Sequence, residues 1–108
     1  MTTDKAAAQW TLEALAQAGV KTIVFSPGSR NAPLIIAAEA LGVFEMMVLG
    51  DERSAAFHAL GRSLVTNAPL AVCCTSGSAL ANYYPAILEA YYAHVPLIVL
   101  SADRPQDR

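Results

Sequence analysis

Residues Thr22–Asn31 read TIVFSPGSRN, a short apolar run that ends in a cluster of small polar residues. Three further apolar runs follow at intervals of about 25 residues, namely Met46–Leu49, Leu70–Cys74 and Leu97–Leu100. The intervening stretches are rich in alanine and leucine and are long enough for three or four helical turns. Because strands that alternate with helices form parallel sheets, the pattern predicts an α/β fold with four parallel strands.

Polar residues follow every one of these runs. The clusters are Ser26–Asn31, Asp51–Arg53, Thr75–Ser78 and Ala102–Pro105. In an open parallel sheet, ligands bind in the crevice outside the carboxyl ends of the strands. All four clusters fall on that edge, so the sequence predicts a ligand site that is built from four loops.

The composition excludes several classes of protein. The 108 residues suffice for one domain, and 55% of them are hydrophobic while 15% are charged. Such a chain is too apolar to be disordered, and its excess of apolar surface predicts that a partner covers one face. No apolar stretch is long enough to span a membrane. The net charge of −2 and the lack of a basic stripe argue against a nucleic-acid ligand.

Cysteine usage indicates the compartment. Cys73 and Cys74 are adjacent in an apolar run, so on a strand they would point to opposite faces and would not form a disulfide framework. We interpret both as buried thiols in a reducing environment. The N-terminal residues lack the basic and apolar regions of an export signal. These features predict a cytoplasmic protein.

Helical periodicity predicts which side chains form the core. In the first helix the large side chain of Trp10 is expected to be a core anchor. The fourth helix is expected over about Ser78–Tyr92, with Tyr84 and Tyr91 among the apolar residues at helical spacing. Pro85 falls inside this helix and is expected either to kink it or to separate its first turns.

The first polar cluster, Ser26–Asn31, allows two interpretations. Gly28 would let the backbone approach a ligand, while hydroxyls, amides and the planar guanidinium of Arg30 would bind a carboxylate or phosphate. The alternative is a well-formed turn between strand and helix that carries Arg30 on the surface. The residues do not form a GxGxxG or Walker loop, so their spacing alone leaves both interpretations open.

The second cluster places two carboxylates at the start of the third helix. Asp51 is expected to be the N-cap, and Glu52 is expected in the first turn, where the helix dipole favours its ionised form by about 0.3–1 kcal/mol. Burial opposes ionisation. If a partner surface seals this loop, Glu52 becomes an acid that shares a proton with a ligand nitrogen. If the loop stays hydrated, Glu52 is an ordinary residue at a helix start.

The two remaining clusters are also ambiguous. Thr75–Ser78 offers hydroxyls, backbone amides and a glycine for close approach, but it could serve only to cap a helix. Arg104 would share the sheet edge with Arg30, and two arginines in one crevice suggest a substrate with carboxylates. Asp103 could instead simply pair with Arg104. The sequence contains no metal-ligand spacing and no Ser-His-Asp arrangement.

Taken in order, the clusters resemble the N-terminal pyrimidine-binding domain of thiamine diphosphate enzymes. The segments that carry the resemblance are Ser26–Leu34, Asp51–Ala55, Thr75–Ala79, Asn82–Ala86 and Ser101–Pro105. The Pro-Gly-Ser-Arg and Ala-Asp-Arg-Pro elements are similar to the menaquinone-biosynthesis branch of that family, and the resemblance covers essentially the whole chain. It implies a three-layer α/β/α domain, of which residues 1–108 would be the N-terminal part.

The resemblance also implies roles for individual residues. Glu52 would be catalytic and would hydrogen-bond the pyrimidine ring of the cofactor. The resemblance places Thr75, Ser76 and Gly77 beside that ring, and it assigns the binding of substrate carboxylates to Ser29, Arg30 and Arg104. None of these residues would bind a metal, because in this family the diphosphate and Mg²⁺ are held by a separate C-terminal domain of the other subunit.

For the whole enzyme, the resemblance implies a transferase that decarboxylates 2-oxoglutarate and adds the remaining succinyl unit to isochorismate. Its cofactors would be thiamine diphosphate and Mg²⁺, and it would be a homodimer or homotetramer with the site shared between subunits. The central and diphosphate-binding domains would be absent from this chain, which is expected to be inactive by itself. Two alternatives remain: a thiamine diphosphate enzyme of the 2-oxoacid decarboxylase or acetolactate-synthase type, and a flavodoxin-like binding domain.

Overall fold

A computed structural model describes residues 2–28, 31–75 and 78–102. Within these ranges the chain forms four strands, β1 (Thr22–Phe25), β2 (Glu45–Val48), β3 (Leu70–Cys74) and β4 (Leu97–Ser101). It also forms five helices, α1 (Thr2–Gln17), α2 (Ala32–Leu41), α3 (Glu52–Thr66), α4 (Ser78–Ala81) and α5 (Tyr84–Ala93). The strands make one sheet in the order β2-β1-β3-β4, and every neighbouring pair is parallel. The predicted four-stranded parallel sheet is therefore confirmed.

Helices cover both faces of the sheet. Side chains on a strand alternate between its two faces, so each face contributes to a separate core. Ile23 and Phe25 of β1 pack with buried residues of α1 and α2 on one face. Val24 of β1 and Val72 of β3 pack with buried alanines of α3 and α5 on the other face. These two cores confirm the expected three-layer α/β/α arrangement.

The strand order creates a crevice between β1 and β3. From β1 the chain passes through α2 to β2, and it then returns through α3 on the opposite face to reach β3 on the other side of β1. The loops that leave β1 and β3 therefore diverge toward opposite faces, although the two strands are neighbours in which Phe25 lies opposite Cys73. Open parallel sheets bind their ligands at such a change of direction.

The expected role of Trp10 is wrong. Its side chain is 68% exposed, whereas the buried residues of α1 are Ala8, Leu12 and Leu15. Trp10 precedes Leu12 by two positions, which is about 200° of helical rotation, so it lies on nearly the opposite side of α1. Helix α1 packs against the sheet through the side that carries Ala8, Leu12 and Leu15, and Trp10 lies outside this contact.

The fourth predicted helix is divided in two, which confirms one of the outcomes expected from Pro85. The first piece, α4, ends at Ala81, and α5 begins at Tyr84 with Pro85 in its first turn. Tyr84 and Tyr91, two of the apolar residues at helical spacing, are 60% and 73% exposed. Buried alanines of α5 face the sheet instead, because small side chains allow the helix to approach α3 and β3 closely.

The two cysteines occupy opposite faces of β3, as the alternation of a strand predicts. Cys73 belongs to the core beneath α1 and α2, and Cys74 belongs to the core beneath α3 and α5. Both thiols are free and buried. In the part of the chain that the structure describes, no helix combines the length and the apolar character that crossing a membrane requires.

Candidate functional site

Ser26 joins the carboxyl ends of three strands at the crevice. Its backbone N–H donates to the carbonyl of Cys73 at 2.9 Å, and its Oγ donates to the carbonyl of Leu49 at 2.9 Å. The residue is fully buried. The sequence interpretation counted the hydroxyls of this cluster as donors for a bound anion. For Ser26 that interpretation is wrong, because its hydroxyl is used inside the protein to tie the end of β1 to the residue after β2.

Asn31 closes the loop that leaves β1. Its side-chain Oδ1 accepts the backbone N–H of Gly28 at 2.9 Å, and its Nδ2 donates to the carbonyl of Ser26 at 3.1 Å. The same Nδ2 lies 3.8 Å from the sulfur of Cys73. With no exposed surface, Asn31 has its amide oxygen and its amide nitrogen both bound within the fold. Sequence reasoning did not assign Asn31 any role.

The loops after β1 and β3 meet at Gly28 and Thr75. A Cβ atom on residue 28 would lie 2.7 Å from Cβ and 2.8 Å from Cγ2 of Thr75, closer than real Cβ atoms approach. The sequence predicts that Gly28 lets the backbone approach a ligand. The structure shows that the missing side chain makes room for Thr75, which the resemblance assigns to the cofactor side of the site.

The start of α3 confirms the N-cap role expected for Asp51 and the first-turn position expected for Glu52. Asp51 is extended, with φ −91° and ψ 119°, and its carboxylate accepts the N–H of Ser54 at 2.9 Å and the Oγ–H of Ser54 at 2.7 Å. These hydrogen bonds lower the pKa of Asp51 below its usual value. Glu52 follows as the first residue of α3 and is partly buried. Among the residues that the structure describes, nothing hydrogen-bonds or ion-pairs with the Glu52 carboxylate.

Ionisable side chains are also buried at the carboxyl end of β3 and next to it. Burial raises the pKa of the Cys74 thiol, and the negative charge of Glu52 raises it further. Tyr83 is fully buried beside Cys74 and Ser26, and burial raises the pKa of its hydroxyl. Within the described ranges that hydroxyl has no hydrogen-bond partner. Burial also raises the pKa of Cys73, to about 12.

Of the predicted site residues, Glu52 and Thr75 lie in the described part of the chain, and the structure brings both to the carboxyl edge of the sheet next to Cys74. The other predicted residues, Ser29, Arg30, Ser76, Gly77 and Arg104, lie outside the described residues. The strands β1, β3 and β4 all end at this same edge. The N–H of Ala102, which precedes the last cluster, donates to the carbonyl of Cys74 at 3.1 Å.

The described residues also bear on metal binding. Across residues 2–28, 31–75 and 78–102, no group of three or more His, Cys, Asp or Glu side chains is arranged to hold a metal ion. Of the two carboxylates at the start of α3, that of Asp51 is bound to Ser54, and that of Glu52 is unpaired among the described residues.

Comparison with known proteins agrees with this geometry. The 2-succinyl-5-enolpyruvyl-6-hydroxy-3-cyclohexene-1-carboxylate synthase of Flavobacterium johnsoniae is 53% identical over 103 residues, which are 95% of this chain and 19% of that protein. The synthase of the same name from Cytophaga hutchinsonii is 61% identical over 95 residues, 88% of this chain and 17% of that protein. The chain thus spans about a fifth of the length of these relatives.

A solved structure with the same fold is the thiamine diphosphate-dependent 4-hydroxybenzoylformate decarboxylase of Rhodococcus jostii RHA1. It superposes with a TM-score of 0.83 at 26% identity, over 93% of this chain and 19% of that protein. The family model for the thiamine pyrophosphate enzyme, N-terminal TPP binding domain, matches residues 5–108. This match argues against a flavodoxin-like binding domain. The chain belongs to the thiamine pyrophosphate enzymes, as a member of their N-terminal TPP-binding domain family.

Proposed function

We propose that this chain is the N-terminal part of a thiamine diphosphate-dependent 2-succinyl-5-enolpyruvyl-6-hydroxy-3-cyclohexene-1-carboxylate synthase (MenD). The parent enzyme would decarboxylate 2-oxoglutarate and add the succinyl unit to isochorismate. The observation that carries this choice is the identity of 53% and 61% with two synthases of that name, over nearly all of the chain. The activity is proposed for the parent, and we expect the chain alone to be inactive.

The described residues fit the pyrimidine half of the cofactor. Glu52 is partly buried at the carboxyl edge of the sheet, and its carboxylate is unpaired among the described residues. A carboxyl group in that position can hold a proton against a ring nitrogen. Thr75, on the neighbouring loop, is fixed against Gly28 and would bound the same space. When bound, thiamine diphosphate supplies the nucleophilic carbon and the electron sink that decarboxylation of a 2-oxoacid requires.

This chain would bind the pyrimidine ring and exchange one proton with it. The N-terminus of α3 places its positive dipole end beside Glu52, which favours the carboxylate by about 0.3–1 kcal/mol. Glu52 would exchange a proton with the ring nitrogen that it contacts.

The substrate side of the site is proposed from the resemblance. Ser29, Arg30 and Arg104 would bind carboxylates, which 2-oxoglutarate and isochorismate both carry, and planar guanidinium groups match carboxylates well. Thiamine diphosphate would also require Mg²⁺, which residues outside this chain would hold together with the diphosphate. The parent would be a cytoplasmic homo-oligomer that shares its site between subunits, and the two free buried cysteines agree with a reducing compartment.

A choice between substrates tests the proposal. The full-length parent should consume 2-oxoglutarate and isochorismate together in the presence of thiamine diphosphate and Mg²⁺, with release of carbon dioxide that depends on both. Pyruvate and benzoylformate serve as controls, since either would be the substrate of a related decarboxylase. Turnover of pyruvate or benzoylformate, with none of the paired substrates, would replace the proposed synthase by the 2-oxoacid decarboxylase alternative.

A further inference from the structure

We propose that Asn31 is a positioning residue of this site, which sets the spacing between the loop after β1 and the loop after β3. The inference rests on the proposed function, because it assigns the first loop to substrate and the second to cofactor. It is carried by the side-chain contacts of Asn31 and by the contact between Gly28 and Thr75.

The Asn31 side chain points in an unusual direction for a residue at a helix start. Asn31 occupies the N-cap position of α2, where an asparagine side chain commonly accepts an N–H from the first turn of its own helix. Here it makes no such capping bond. The side chain turns back into the preceding loop and binds the N–H of Gly28 and the carbonyl of Ser26. The residue therefore stabilises the loop rather than the helix.

Asn31 is also fully buried. Asn31 has no exposed surface, so each polar atom of its side chain must find a partner in the protein or leave a buried group unsatisfied. Breaking one of these bonds leaves a buried donor or acceptor without a partner, which is unfavourable. The loop conformation that satisfies Oδ1 and Nδ2 together is consequently favoured over alternatives that satisfy one of them.

Asn31 is linked to Thr75 through Gly28, which binds the first residue and lies against the second. The hydrogen bond from Gly28 to Asn31 fixes the peptide that lies directly against the Thr75 side chain. We call the hydrogen bonds of Asn31 to Gly28 and to Ser26 the clamp. Ser26 also donates its N–H to the carbonyl of Cys73 in β3. One side chain thus holds both ends of the segment that faces the β3 loop. Gly28 and Asn31, the described residues on either side of the proposed substrate residues, are joined directly by this hydrogen bond.

Loss of the two hydrogen bonds of Asn31 is expected to affect one kind of binding more than another. Loss of the clamp would let the β1 loop shift relative to Thr75, while β3 keeps its hydrogen bonds to β1 and β4. Substrate affinity should therefore suffer more than cofactor affinity. A substitution that only destabilised the fold would not separate the two, and this separation is what distinguishes a positioning role from a merely structural one.

The test uses Asn31→Ala and Asn31→Asp in the full-length parent enzyme. Alanine removes both hydrogen bonds, whereas aspartate keeps the acceptor for Gly28 and loses the donor for Ser26. Asn67→Ala is the matched control. Asn67 is an exposed asparagine with φ 56° at the C-terminal end of α3, so alanine is strained there at a position away from the carboxyl edge of the sheet. The measurements are kcat, KM for 2-oxoglutarate and isochorismate, and the half-saturating concentration of thiamine diphosphate.

We expect Asn31→Ala to raise KM for at least one substrate by tenfold or more, with a change of less than threefold in the half-saturating cofactor concentration. Asn31→Asp should raise the same KM several-fold, and it decides the matter if the alanine variant does not fold. Asn67→Ala should leave every constant within twofold of wild type. An active parent whose Asn31 variants match Asn67→Ala would overturn the inference alone. A wild-type parent without synthase activity would overturn the proposed function, and the inference with it.

Discussion

The backbone of Gly28 lies directly against the side chain of Thr75, so that a Cβ atom on residue 28 would come within 2.7 Å of Cβ of Thr75. The two residues belong to loops that leave different strands toward opposite faces of the sheet. Their contact joins the described parts of the two loops at the carboxyl edge. The distance between the proposed substrate loop and the proposed cofactor loop therefore depends on the absence of a side chain at residue 28.

Replacement of Gly28 by alanine should accordingly damage the site. We expect Gly28→Ala to lower the free energy of unfolding by about 1–3 kcal/mol, the usual cost of overpacking, because the backbone or Thr75 must move. Activity of the parent enzyme should fall at least tenfold. Gly61→Ala is the control, since a Cβ atom there meets nothing within 4 Å, and a glycine inside a helix gains stability on substitution.

A double variant tests whether the contact is the cause. Gly28→Ala combined with Thr75→Gly removes the atoms that clash, and it should recover stability relative to Gly28→Ala alone. Chemical unfolding of the parent enzyme measures both effects. If Gly28→Ala is as harmless as Gly61→Ala, the close packing of the two loops does not govern the site.

Substitution of Tyr83 should not destabilise the protein as substitution of Gly28 does. The Tyr83 hydroxyl is buried and has no hydrogen-bond partner among the described residues. Tyr83→Phe keeps the ring in the core and removes the unsatisfied group. The free energy of unfolding should stay level or rise, by up to about 3 kcal/mol. Tyr91→Phe, at a ring that is 73% exposed, should change it by less than about 0.5 kcal/mol. A loss of stability in Tyr83→Phe that exceeds the control would mean that the hydroxyl has a bonding partner.

Cys73 should make the protein less stable at high pH. Burial raises its pKa from 9.0 to about 12, so the unfolded chain releases this proton before the folded chain does. The stability that comes from keeping the thiol protonated is fully present below pH 9 and is lost as the pH rises toward about 12. Urea unfolding between pH 8 and pH 11 measures the decline. Cys73→Ala should show a shallower decline above pH 9, and identical pH profiles for the two proteins would contradict the assignment.

The regular elements of this fold were predictable from the sequence, since they depend on local patterns. The four apolar runs coincide with the strands to within a residue or two, and Asp51 caps α3 as its side-chain chemistry implies. Trp10 was misassigned because hydrophobicity does not tell which stripe of an alanine-rich helix packs closely. Helices approach one another through small residues, and a large side chain is easily left at the surface.

The supporting contacts of the site were not predictable in the same way. The clamp made by Asn31 and the use of the Ser26 hydroxyl join atoms on different strands or loops, so no sequence spacing reveals them. Asn31 stands at the N-cap position of α2, yet its side chain makes no capping hydrogen bond and binds the preceding loop instead. The turn residues that sequence reasoning considered for ligand contact include some that hold the loops together.

Glu52 is the residue on which the account depends, and Glu52→Gln in the full-length parent tests it most directly. The amide preserves the shape of the side chain but does not take part in proton transfer with the pyrimidine ring. The measurement is the rate at which the thiazolium proton of bound thiamine diphosphate exchanges with D₂O, with Glu39→Gln, at an exposed site on α2, as control. The account predicts that exchange slows by about 10²-fold or more in Glu52→Gln and stays near the wild-type rate in the control. Exchange near the wild-type rate in Glu52→Gln, with the cofactor bound, would contradict it.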